Sequence, residues 1–472
     1  MYSSHSLIGQ LQMNGQSNEN LFGTNGVRGI FEEDLTPEKI IHLSTSLAHY
    51  FPQGPLLVGY DGRNSSPIIS RIVCSALRSE GRNVSVAGTV PTPCLQYVVK
   101  TGNFSGGSMI TASHNPPKYN GIKPVAMDGV EISREDELKV QEIYYTQKSS
   151  ESASIGSRFT KENLIETYVD ALQAQVDAER IRSRGLKIVV DGGNGVQGPV
   201  GSVLAKMLGS KVLAINCNLD GDFPGRGPEP TIDNLTYLSK AITASGSDLG
   251  VAYDGDGDRS IFCDERGVAY PGDRLGALLA RFLLNSRNHK REIVCPINTT
   301  LAVPLVAKEV NASVVFTKVG SVEVSREMVK RKSIIGMEEN GGFMYGMLNE
   351  VRDGAMATAL VLEMLASNPG DSFSSLMSTL PRIFQFKSKF LCPNKEMASR
   401  VLNKVLGHGS PRKIETLDGA KVWIDEETWI MARPSGTEPI IRLYAESTDK
   451  NLLESKLDEY IRLIRKELMT SC

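Results

Sequence analysis

Residues 186–195 read Leu-Lys-Ile-Val-Val-Asp-Gly-Gly-Asn-Gly, a short apolar run that ends in a glycine-rich turn. Such a run, bounded by turn residues, is typical of a buried strand. The same unit recurs at 56–64, and similar apolar runs lie at 212–215, 249–252 and 313–316. Segments with helical spacing of apolar residues separate these runs. Strands that alternate with helices predict α/β domains with largely parallel sheets.

The C-terminal part of the chain has a different pattern. Apolar runs at 421–424, 429–431 and 440–444 predict three short strands in succession. One helix follows, with apolar residues at three- and four-residue spacing between Leu453 and Leu468. We therefore predict a smaller α+β domain at this end. The serine-rich stretch 148–152 and the turn at 368–371 are the predicted junctions between domains.

Length and composition limit the class of protein. A chain of 472 residues allows about three domains. The net charge of −2 gives no general attraction to nucleic acid or to a membrane surface. Seven scattered cysteines without a CxxC pair indicate reduced thiols. The polar residues 1–20 predict a disordered extension, and no run approaches the roughly 20 apolar residues of a membrane span. We predict a soluble cytoplasmic protein that binds neither nucleic acid nor a membrane; the oligomeric state is left open.

Residues 111–123 read Thr-Ala-Ser-His-Asn-Pro-Pro-Lys-Tyr-Asn-Gly-Ile-Lys. The two prolines exclude a helix interior and a central strand, so Ser113 is expected on a rigid, exposed loop. Its hydroxyl could be a nucleophile, a phosphate carrier or a structural turn residue. The GxSxG pattern of a hydrolase nucleophile is missing.

A cluster of carboxylates follows the apolar run 249–252. Asp254, Asp256 and Asp258 alternate with glycines, and three carboxylates arranged in this way suit Mg²⁺, which prefers oxygen ligands. A calcium loop would need a glycine where Arg259 stands. A solvated acidic turn is the other alternative.

Three further segments carry possible binding groups. Residues 433–439 (Arg-Pro-Ser-Gly-Thr-Glu-Pro) suit a phosphate, because a guanidinium, two hydroxyls and free amides lie together. Residues 336–342 offer two carboxylates and an amide that could bind sugar hydroxyls. Residues 193–198 form a GxGxxG pattern, with Asp220 further on, which would favour a nucleotide-cofactor oxidoreductase. That alternative leaves Ser113 and the three aspartates without a role.

Taken together, four segments resemble the α-D-phosphohexomutase family in order and spacing: 111–123, 254–259, 338–342 and 433–439. Further matches lie at 22–29, 61–63, 223–230 and 317–320. The resemblance covers about residues 20–468. It implies four domains around a central cleft, three of them similar mixed α/β domains and the fourth a smaller α+β domain. The implied boundaries are 21–155, 156–266, 267–372 and 373–472, after the extension 1–20.

The resemblance also implies a reaction, in which hexose 1-phosphates and hexose 6-phosphates are interconverted. The family includes phosphoglucomutase, phosphomannomutase and phosphoglucosamine mutase. Ser113 would carry a phosphoryl group, pass it to the sugar and recover the other one from a 1,6-bisphosphate intermediate. An activator of the glucose 1,6-bisphosphate type would prime it.

The resemblance assigns a role to each group of residues. One Mg²⁺ would be held by Ser113, Asp254, Asp256 and Asp258. Proton transfer and charge stabilisation would fall to His114, Lys123, Arg259 and Arg28. Sugar hydroxyls would bind Glu338 and Asn340, and the non-reacting phosphate would bind Arg433, Ser435, Gly436 and Thr437.

Two departures from the family pattern fall on the segment implied to bind the sugar. Bacterial members often read GExSGH there, whereas Asn340 stands at the Ser position and Gly342 at the His position. The EENGG form resembles archaeal members, and Met337 replaces a frequent glycine. These changes affect specificity, and we expect a broad one. A non-catalytic phosphosugar-binding protein on the same fold is the competing hypothesis.

Overall fold

The computed structural model of the chain describes residues 21–23, 25–146, 154–287, 289–436 and 438–469. The predicted extension 1–20, the serine-rich junction 148–152 and Thr437 lie outside these ranges. Four sheets follow one another along the chain, and each has at least one helix between its strands. The four units of the predicted fold class are therefore present. The boundaries given for them above remain a prediction.

The first sheet has six strands in the order β1-β5-β4-β2-β3-β6. Its elements are β1 (Val27–Ile30), α1 (Pro37–Tyr50), β2 (Leu56–Tyr60), α2 (Ser66–Ser79), β3 (Val84–Thr89), α3 (Thr92–Thr101), β4 (Gly106–Ile110), β5 (Tyr119–Ala126), α4 (Arg134–Thr146) and β6 (Arg158–Thr160). Helix α1 begins at Pro37, because Thr36 accepts a hydrogen bond from the Lys39 amide and a proline suits the first turn.

The second sheet has the order β11-β10-β9-β7-β8. Its elements are α5 (Leu164–Gln173), α6 (Ala178–Arg184), β7 (Lys187–Asp191), α7 (Gln197–Met207), β8 (Lys211–Ile215), a 3₁₀ turn (Ile232–Asn234), α8 (Thr236–Ser245), β9 (Leu249–Tyr253), β10 (Ser260–Asp264) and β11 (Ala269–Tyr270).

The third sheet has the order β13-β12-β14-β15-β16. Its elements are α9 (Gly272–Ser286), β12 (Glu292–Pro296), α10 (Ala302–Glu309), β13 (Ser313–Thr317), α11 (Ser321–Arg331), β14 (Ile335–Met337), β15 (Phe343–Tyr345), β16 (Asn349–Arg352), α12 (Gly354–Ser367) and α13 (Phe373–Ser378).

The fourth sheet is wholly antiparallel, in the order β17-β21-β20-β19-β18. Its elements are β17 (Phe384–Leu391), α14 (Lys395–Leu406), β18 (Lys413–Glu415), β19 (Ala420–Trp423), β20 (Thr428–Pro434), β21 (Ile440–Ser447) and α15 (Lys450–Met469). The three predicted C-terminal strands and the closing helix are present as β19, β20, β21 and α15. Strands β17 and β18 were not predicted.

The expectation of largely parallel sheets is only partly right. Each of the first three sheets has a parallel centre, in which β2, β7 and β12 each pair with two parallel neighbours. In each, an antiparallel pair then adjoins that centre: β4 with β5, β9 with β10, and β14 with β15. The connections within these pairs are too short for a crossover, which needs a dozen or more residues, so the strands have to be antiparallel.

One apolar core runs through the first three units, and the fourth unit has its own. Helix α12 is buried on all sides from Gly354 to Ala366 and lies at the centre of the shared core. The fourth unit meets the third through a small cluster that includes Leu301, Trp423 and Trp429. Among the helices in the described ranges, none is long and apolar enough to cross a membrane.

Candidate active site

All four candidate segments are hairpin loops, one in each sheet. The serine loop (residues 111–118) joins β4 to β5, and the aspartate loop (254–259) joins β9 to β10. The glutamate loop (338–342) joins β14 to β15, and the arginine loop (433–439) lies at the junction of β20 and β21. The serine, aspartate and glutamate loops each connect the two strands of an antiparallel pair beside the parallel centre of their sheet. Equivalent positions of three similar units therefore supply three different sets of functional groups.

Ser113 is buried, which corrects the expectation of an exposed loop. Below the loop, the buried Arg63 forms an ion pair with Asp61, with Nε 3.1 Å from Oδ2. The two Nη groups of Arg63 donate to four backbone carbonyls of this region, at 2.7–2.9 Å: those of Ser113, Asn115, Pro116 and Tyr119. The prolines make the loop rigid, but the long-range contacts with Arg63 and with the aspartate loop bury it.

The backbone at Ser113 is in the left-handed region, with φ 49°. A non-glycine residue in this region costs of order 1 kcal/mol or more and persists where its surroundings enforce it. The Ser113 amide donates to Thr111 Oγ1 at 2.8 Å, and Thr111 in turn donates to Asp61 Oδ2. This arrangement directs the Ser113 hydroxyl at the aspartate loop, where Oγ donates to Asp254 Oδ2 at 2.8 Å.

The three predicted aspartates come together in the structure. One carboxylate oxygen from each of Asp254, Asp256 and Asp258 lies within 4.8 Å of the others, and all three side chains are buried. Asp256 Oδ1 and Asp258 Oδ1 have no hydrogen-bond partner. Buried carboxylate oxygens without a partner are costly, and a cation removes the cost. The donor set consists of oxygens alone, which fits Mg²⁺.

The pKa values of Asp254 and Asp256 are shifted in opposite directions. Burial, together with the charges of Asp258 and Asp256, raises the pKa of Asp254 well above its ordinary value. Burial also acts to raise the pKa of Asp256, but Lys123 and Thr92 more than offset it and the pKa is lowered. Thr92 Oγ1 donates to Asp256 Oδ2 at 2.6 Å. The site therefore concentrates negative charge beside Ser113 and holds it with groups from the first sheet.

Lys123 lies against the same carboxylates, with Nζ 3.0 Å from Asp256 Oδ2 and 3.2 Å from Asp258 Oδ2. Burial would lower the pKa of Lys123, but the two carboxylates outweigh it and raise the pKa. Lys123 is therefore a stable cation next to the serine.

His114 is a neutral ring at the same place. Its Nδ1 lies 3.4 Å from Ser113 Oγ. Burial lowers the pKa of His114 to about 2, and the nearby charges of Arg259 and Arg28 act in the same direction. The structure therefore brings His114 to the hydroxyl, although adjacent residues rarely meet in this way.

Two predicted arginines border the serine and aspartate loops. Arg28 Nη1 donates to Asn115 Oδ1 at 2.7 Å and to the Ala112 carbonyl at 3.2 Å. Burial lowers the pKa of Arg28 to about 10, so it remains cationic at neutral pH. Arg259 is largely buried beside Asp258, and its Nε has no hydrogen-bond partner. Both are placed to meet an anion.

The glutamate loop packs directly on the aspartate loop. The Ser260 amide donates to the Gly341 carbonyl at 3.0 Å, which joins the two loops through their backbones. Glu338 is buried, whereas Asn340 is exposed and its Oδ1 accepts from the Gly342 amide. Of the two predicted sugar ligands, Glu338 is therefore held inside the site and Asn340 lies at its surface.

A residue missed by the sequence analysis links these two loops. The buried Arg352, the last residue of β16, donates from Nη2 to Asp258 Oδ2 and from Nη1 to Glu338 Oε2 at 3.4 Å. Nothing in its local sequence marks it, because its partners lie 94 and 14 residues away. A charged residue that ends a short strand is ordinarily solvated.

The arginine loop is positioned by the third and fourth units. Arg433 Nε donates to Asp418 Oδ2 at 2.8 Å, and the same carboxylate oxygen accepts from the Val319 amide at 2.9 Å. Ser435 is half-buried and Gly436 is exposed, with open space around it. These contacts attach the loop to the third unit rather than to Ser113.

The GxGxxG pattern has a packing role. A Cβ at Gly195 would lie 2.8 Å from the Gly255 carbonyl oxygen, and one at Gly193 would lie within 3 Å of the Arg226 guanidinium. Arg226 in turn pairs with Asp191 at 2.8 Å. These glycines allow the aspartate loop and Arg226 to approach the turn closely, which accounts for the pattern without a nucleotide.

Comparison with known proteins matches most of the chain to the domains of one family. Profiles of the phosphoglucomutase/phosphomannomutase α/β/α domains I, II and III match residues 19–151, 166–267 and 271–384, and the C-terminal domain matches 389–463. The fold and the site thus define a four-domain sugar-phosphate mutase. The chain belongs to the phosphoglucomutase/phosphomannomutase family, and its activity is that of a hexose-phosphate mutase.

Its curated relatives include two proteins from archaea. The phosphoglucosamine/phosphogalactosamine mutase of Sulfurisphaera tokodaii is 39% identical over 452 residues, which is 94% of this chain and 99% of that one. The phosphoglucomutase/phosphomannomutase of Thermococcus kodakarensis is 38% identical over 455 residues, with 95% and 99% covered. A solved phosphoglucomutase/phosphomannomutase family protein from Burkholderia thailandensis, 24% identical, has the same fold, with a TM-score of 0.84 over 96% of this chain and 98% of that one.

Proposed function

We propose that the protein interconverts hexose 1-phosphates and hexose 6-phosphates through a phosphoryl group carried on Ser113. The observation that carries the proposal is the 2.8 Å contact of Ser113 Oγ with Asp254 Oδ2, inside a cluster of buried carboxylates with unpartnered oxygens. A hydroxyl that shares a cation site is suited to phosphoryl transfer, where positioning and charge neutralisation supply most of the catalysis.

The transfer balances as an exchange of phosphoryl groups between two oxygens. The bond between Ser113 Oγ and phosphorus breaks as the free hydroxyl of the sugar phosphate bonds to phosphorus, which gives a 1,6-bisphosphate. The proton of that hydroxyl passes to a group beside Ser113. In the return step the bond between the other phosphorus and its sugar oxygen breaks as Ser113 Oγ bonds to that phosphorus, and the proton held beside Ser113 passes to the sugar oxygen. We assign His114, Lys123, Arg259 and Arg28 to proton transfer and charge stabilisation.

The cation we propose is one Mg²⁺, held by Ser113 or its phosphate together with Asp254, Asp256 and Asp258. When bound, it supplies positive charge to the phosphoryl oxygens. Lys123 forms ion pairs with two of these carboxylates, Asp256 and Asp258, and holds them in place.

The remaining site residues are proposed to bind the substrate. Glu338 and Asn340 accept hydrogen bonds from sugar hydroxyls. The non-reacting phosphate lies in the arginine loop, against Arg433, Ser435, Gly436 and Thr437. This loop would bind either phosphate of the intermediate, because guanidinium and amide donors do not distinguish the two ends of the sugar.

We further propose a broad specificity that includes glucose, mannose and glucosamine phosphates. The names of the two archaeal relatives include all three sugars. A sugar 1,6-bisphosphate of the glucose type would prime Ser113. These assignments rest on the residues of the four loops and on the family.

The test is a coupled assay with the 1-phosphates of glucose, mannose and glucosamine, together with the intact mass of the protein. We expect turnover with more than one sugar and a mass higher by one phosphoryl group, which phosphatase removes and glucose 1,6-bisphosphate restores. Ser113→Ala should abolish both, whereas the matched exposed change Ser79→Ala should preserve both. Binding of sugar phosphates without turnover or phosphorylation would instead indicate a non-catalytic binding protein.

A further inference from the structure

The space beside Gly342 is filled by an arginine from another strand. A Cβ at Gly342 would lie 2.3 Å from Cδ and 2.8 Å from Cγ of Arg352. Gly342 does not adopt a positive φ, so its backbone conformation is open to any residue. The requirement for glycine at this position therefore comes from the aliphatic stem of Arg352.

The guanidinium of Arg352 lies between two buried carboxylates of different loops. One is Asp258 of the aspartate loop and the other is Glu338 of the glutamate loop. Without a cation between them, the buried carboxylates of Asp258 and Glu338 would repel each other and move apart. A planar guanidinium can donate to both at once, and its position is set by packing on both sides.

We infer that Arg352 is a positioning residue for sugar recognition: it orients Glu338 toward the substrate and ties the glutamate loop to the aspartate loop, and Gly342 provides the space for its side chain. This inference rests on the proposed function, in which Glu338 binds sugar hydroxyls. It also explains the departure at Gly342 from the family pattern. In this chain a side chain from β16 occupies the space that a larger residue at position 342 would fill.

Displacement of a substrate-orienting group by about 1 Å can cost about 10²-fold in rate. Arg352→Met keeps the stem and removes the guanidinium, so we expect kcat/KM for glucose 1-phosphate to fall by about 10²-fold, mainly through kcat. Arg352→Lys keeps the charge without the planar fork and should recover part of the loss. The exposed Arg412, which pairs with Glu426 at the surface, provides the matched control Arg412→Met, with unchanged kinetics.

The decisive measurement is a double-mutant cycle of Arg352→Met with Glu338→Gln. If Arg352 acts through Glu338, the double variant loses little more than the worse single variant. Additive losses would overturn the inference, because they would mean that Arg352 acts independently of Glu338. If Arg352→Met does not fold, Gly342→Ala replaces it in the cycle, since the added methyl displaces the stem and leaves the charge.

Failure of the inference and failure of the proposed function can be told apart. Wild-type turnover and phosphorylation of Ser113 are measured in the same preparation. An active, phosphorylated wild type with an additive cycle refutes only the role of Arg352. A wild type without turnover refutes the proposed function itself.

Discussion

Replacing Arg63 by methionine is expected to destabilise the first unit and inactivate the enzyme. Arg63 is buried and pairs with Asp61, and its Nη groups hold the serine loop through four carbonyls. Methionine retains much of the side-chain volume but none of the donors. The serine loop then loses the contacts that hold the left-handed backbone of Ser113.

The size of the effect follows from the contacts that are lost. Breaking a buried ion pair and leaving one charge costs about 3–5 kcal/mol. Each hydrogen bond from a charged donor adds about 1.5–3 kcal/mol, although water that reaches the loop carbonyls offsets part of this. Asp61 keeps the hydroxyls of Ser66 and Thr111, both at 2.7 Å. We therefore expect a loss of about 3–5 kcal/mol in the free energy of unfolding of this unit.

The loss should depend on pH. Burial raises the pKa of Asp61, and Arg63 acts in the opposite direction. Without Arg63 the pKa of Asp61 in the folded protein rises further above its value in the unfolded chain. The destabilisation then grows as the pH rises from the unfolded-chain pKa to the folded-state pKa, and it is complete above the latter. The destabilisation should therefore shrink as the pH falls, because the carboxyl group then takes up a proton.

The assay is hydrogen exchange of peptides that cover residues 106–126. Fluorescence would not report on this region, because both tryptophans, Trp423 and Trp429, lie in the fourth unit. A local loss of about 3–5 kcal/mol corresponds to exchange about 10²- to 10⁴-fold faster. The exposed Arg71 of α2 gives the control Arg71→Met, which should change stability by no more than about 0.5 kcal/mol.

A double variant completes the test of Arg63. Removing both charges in Asp61→Asn/Arg63→Met should recover much of the stability but not the activity, because the loop carbonyls still lack their donor. The reasoning is refuted if Arg63→Met exchanges at the wild-type rate, or if the double variant is no more stable than the single one.

Three further predictions concern the aspartate loop and the interface between the third and fourth units. Mg²⁺ at about 100 times its Kd should stabilise the protein by about 2.7 kcal/mol and raise its melting temperature, and Asp256→Asn should remove most of that rise. A melting temperature that changes neither with Mg²⁺ nor with a chelator would contradict the metal site. Lys421 Nζ lies 4.0 Å from the centre of the Trp429 ring, and burial lowers the pKa of Lys421 from 10.5 to about 8. Between pH 8 and pH 10.5 the unfolded chain therefore binds more protons than the folded protein. Stability should then rise by about 3 kcal/mol from pH 8 to 10.5 in denaturation followed by tryptophan fluorescence, and Lys421→Met should remove this slope. Gly195→Ala places a methyl group 2.8 Å from the Gly255 carbonyl oxygen and should lower kcat/KM by about 10²-fold. The control is Gly370→Ala, which has open space around it and should leave kcat/KM unchanged. Equal activities of the two variants would show that the aspartate loop does not depend on this packing.

The sequence predicted the elements whose signals are local. The apolar runs at 56–60, 249–252 and 313–316 are strands, and the closing helix buries the expected face. The four loops stand out because prolines, glycines and carboxylates mark turns and ligands over a few residues. Strand direction was predicted less well, because whether a short connection reverses the chain depends on which strands become neighbours.

Local sequence patterns did not predict that the site is buried. Ser113 looks like an exposed loop residue, since neither Arg63, fifty positions away, nor Asp254, 141 positions away, is visible from its neighbours. Arg352 was missed for the same reason: its local sequence is that of an ordinary charged residue at the end of a strand, and its two partners lie 94 and 14 residues away. Gly342 gave an indirect signal as a departure from the family pattern, but its reason lies in a side chain from another strand.

The sequence alone therefore determined which chemical groups this protein has: one serine, three alternating aspartates and two loops with the groups to bind a phosphosugar. Short-range spacing is enough for this, because each set lies within one turn between two strands. The family resemblance implied that Ser113 and the aspartates share a metal. Only the tertiary structure decided that Ser113 Oγ donates to Asp254, that Lys123 sits between Asp256 and Asp258, and that Arg352 joins the aspartate loop to the glutamate loop. These contacts bring together residues of separate sheets, and the shared core that packs the first three units against one another creates them.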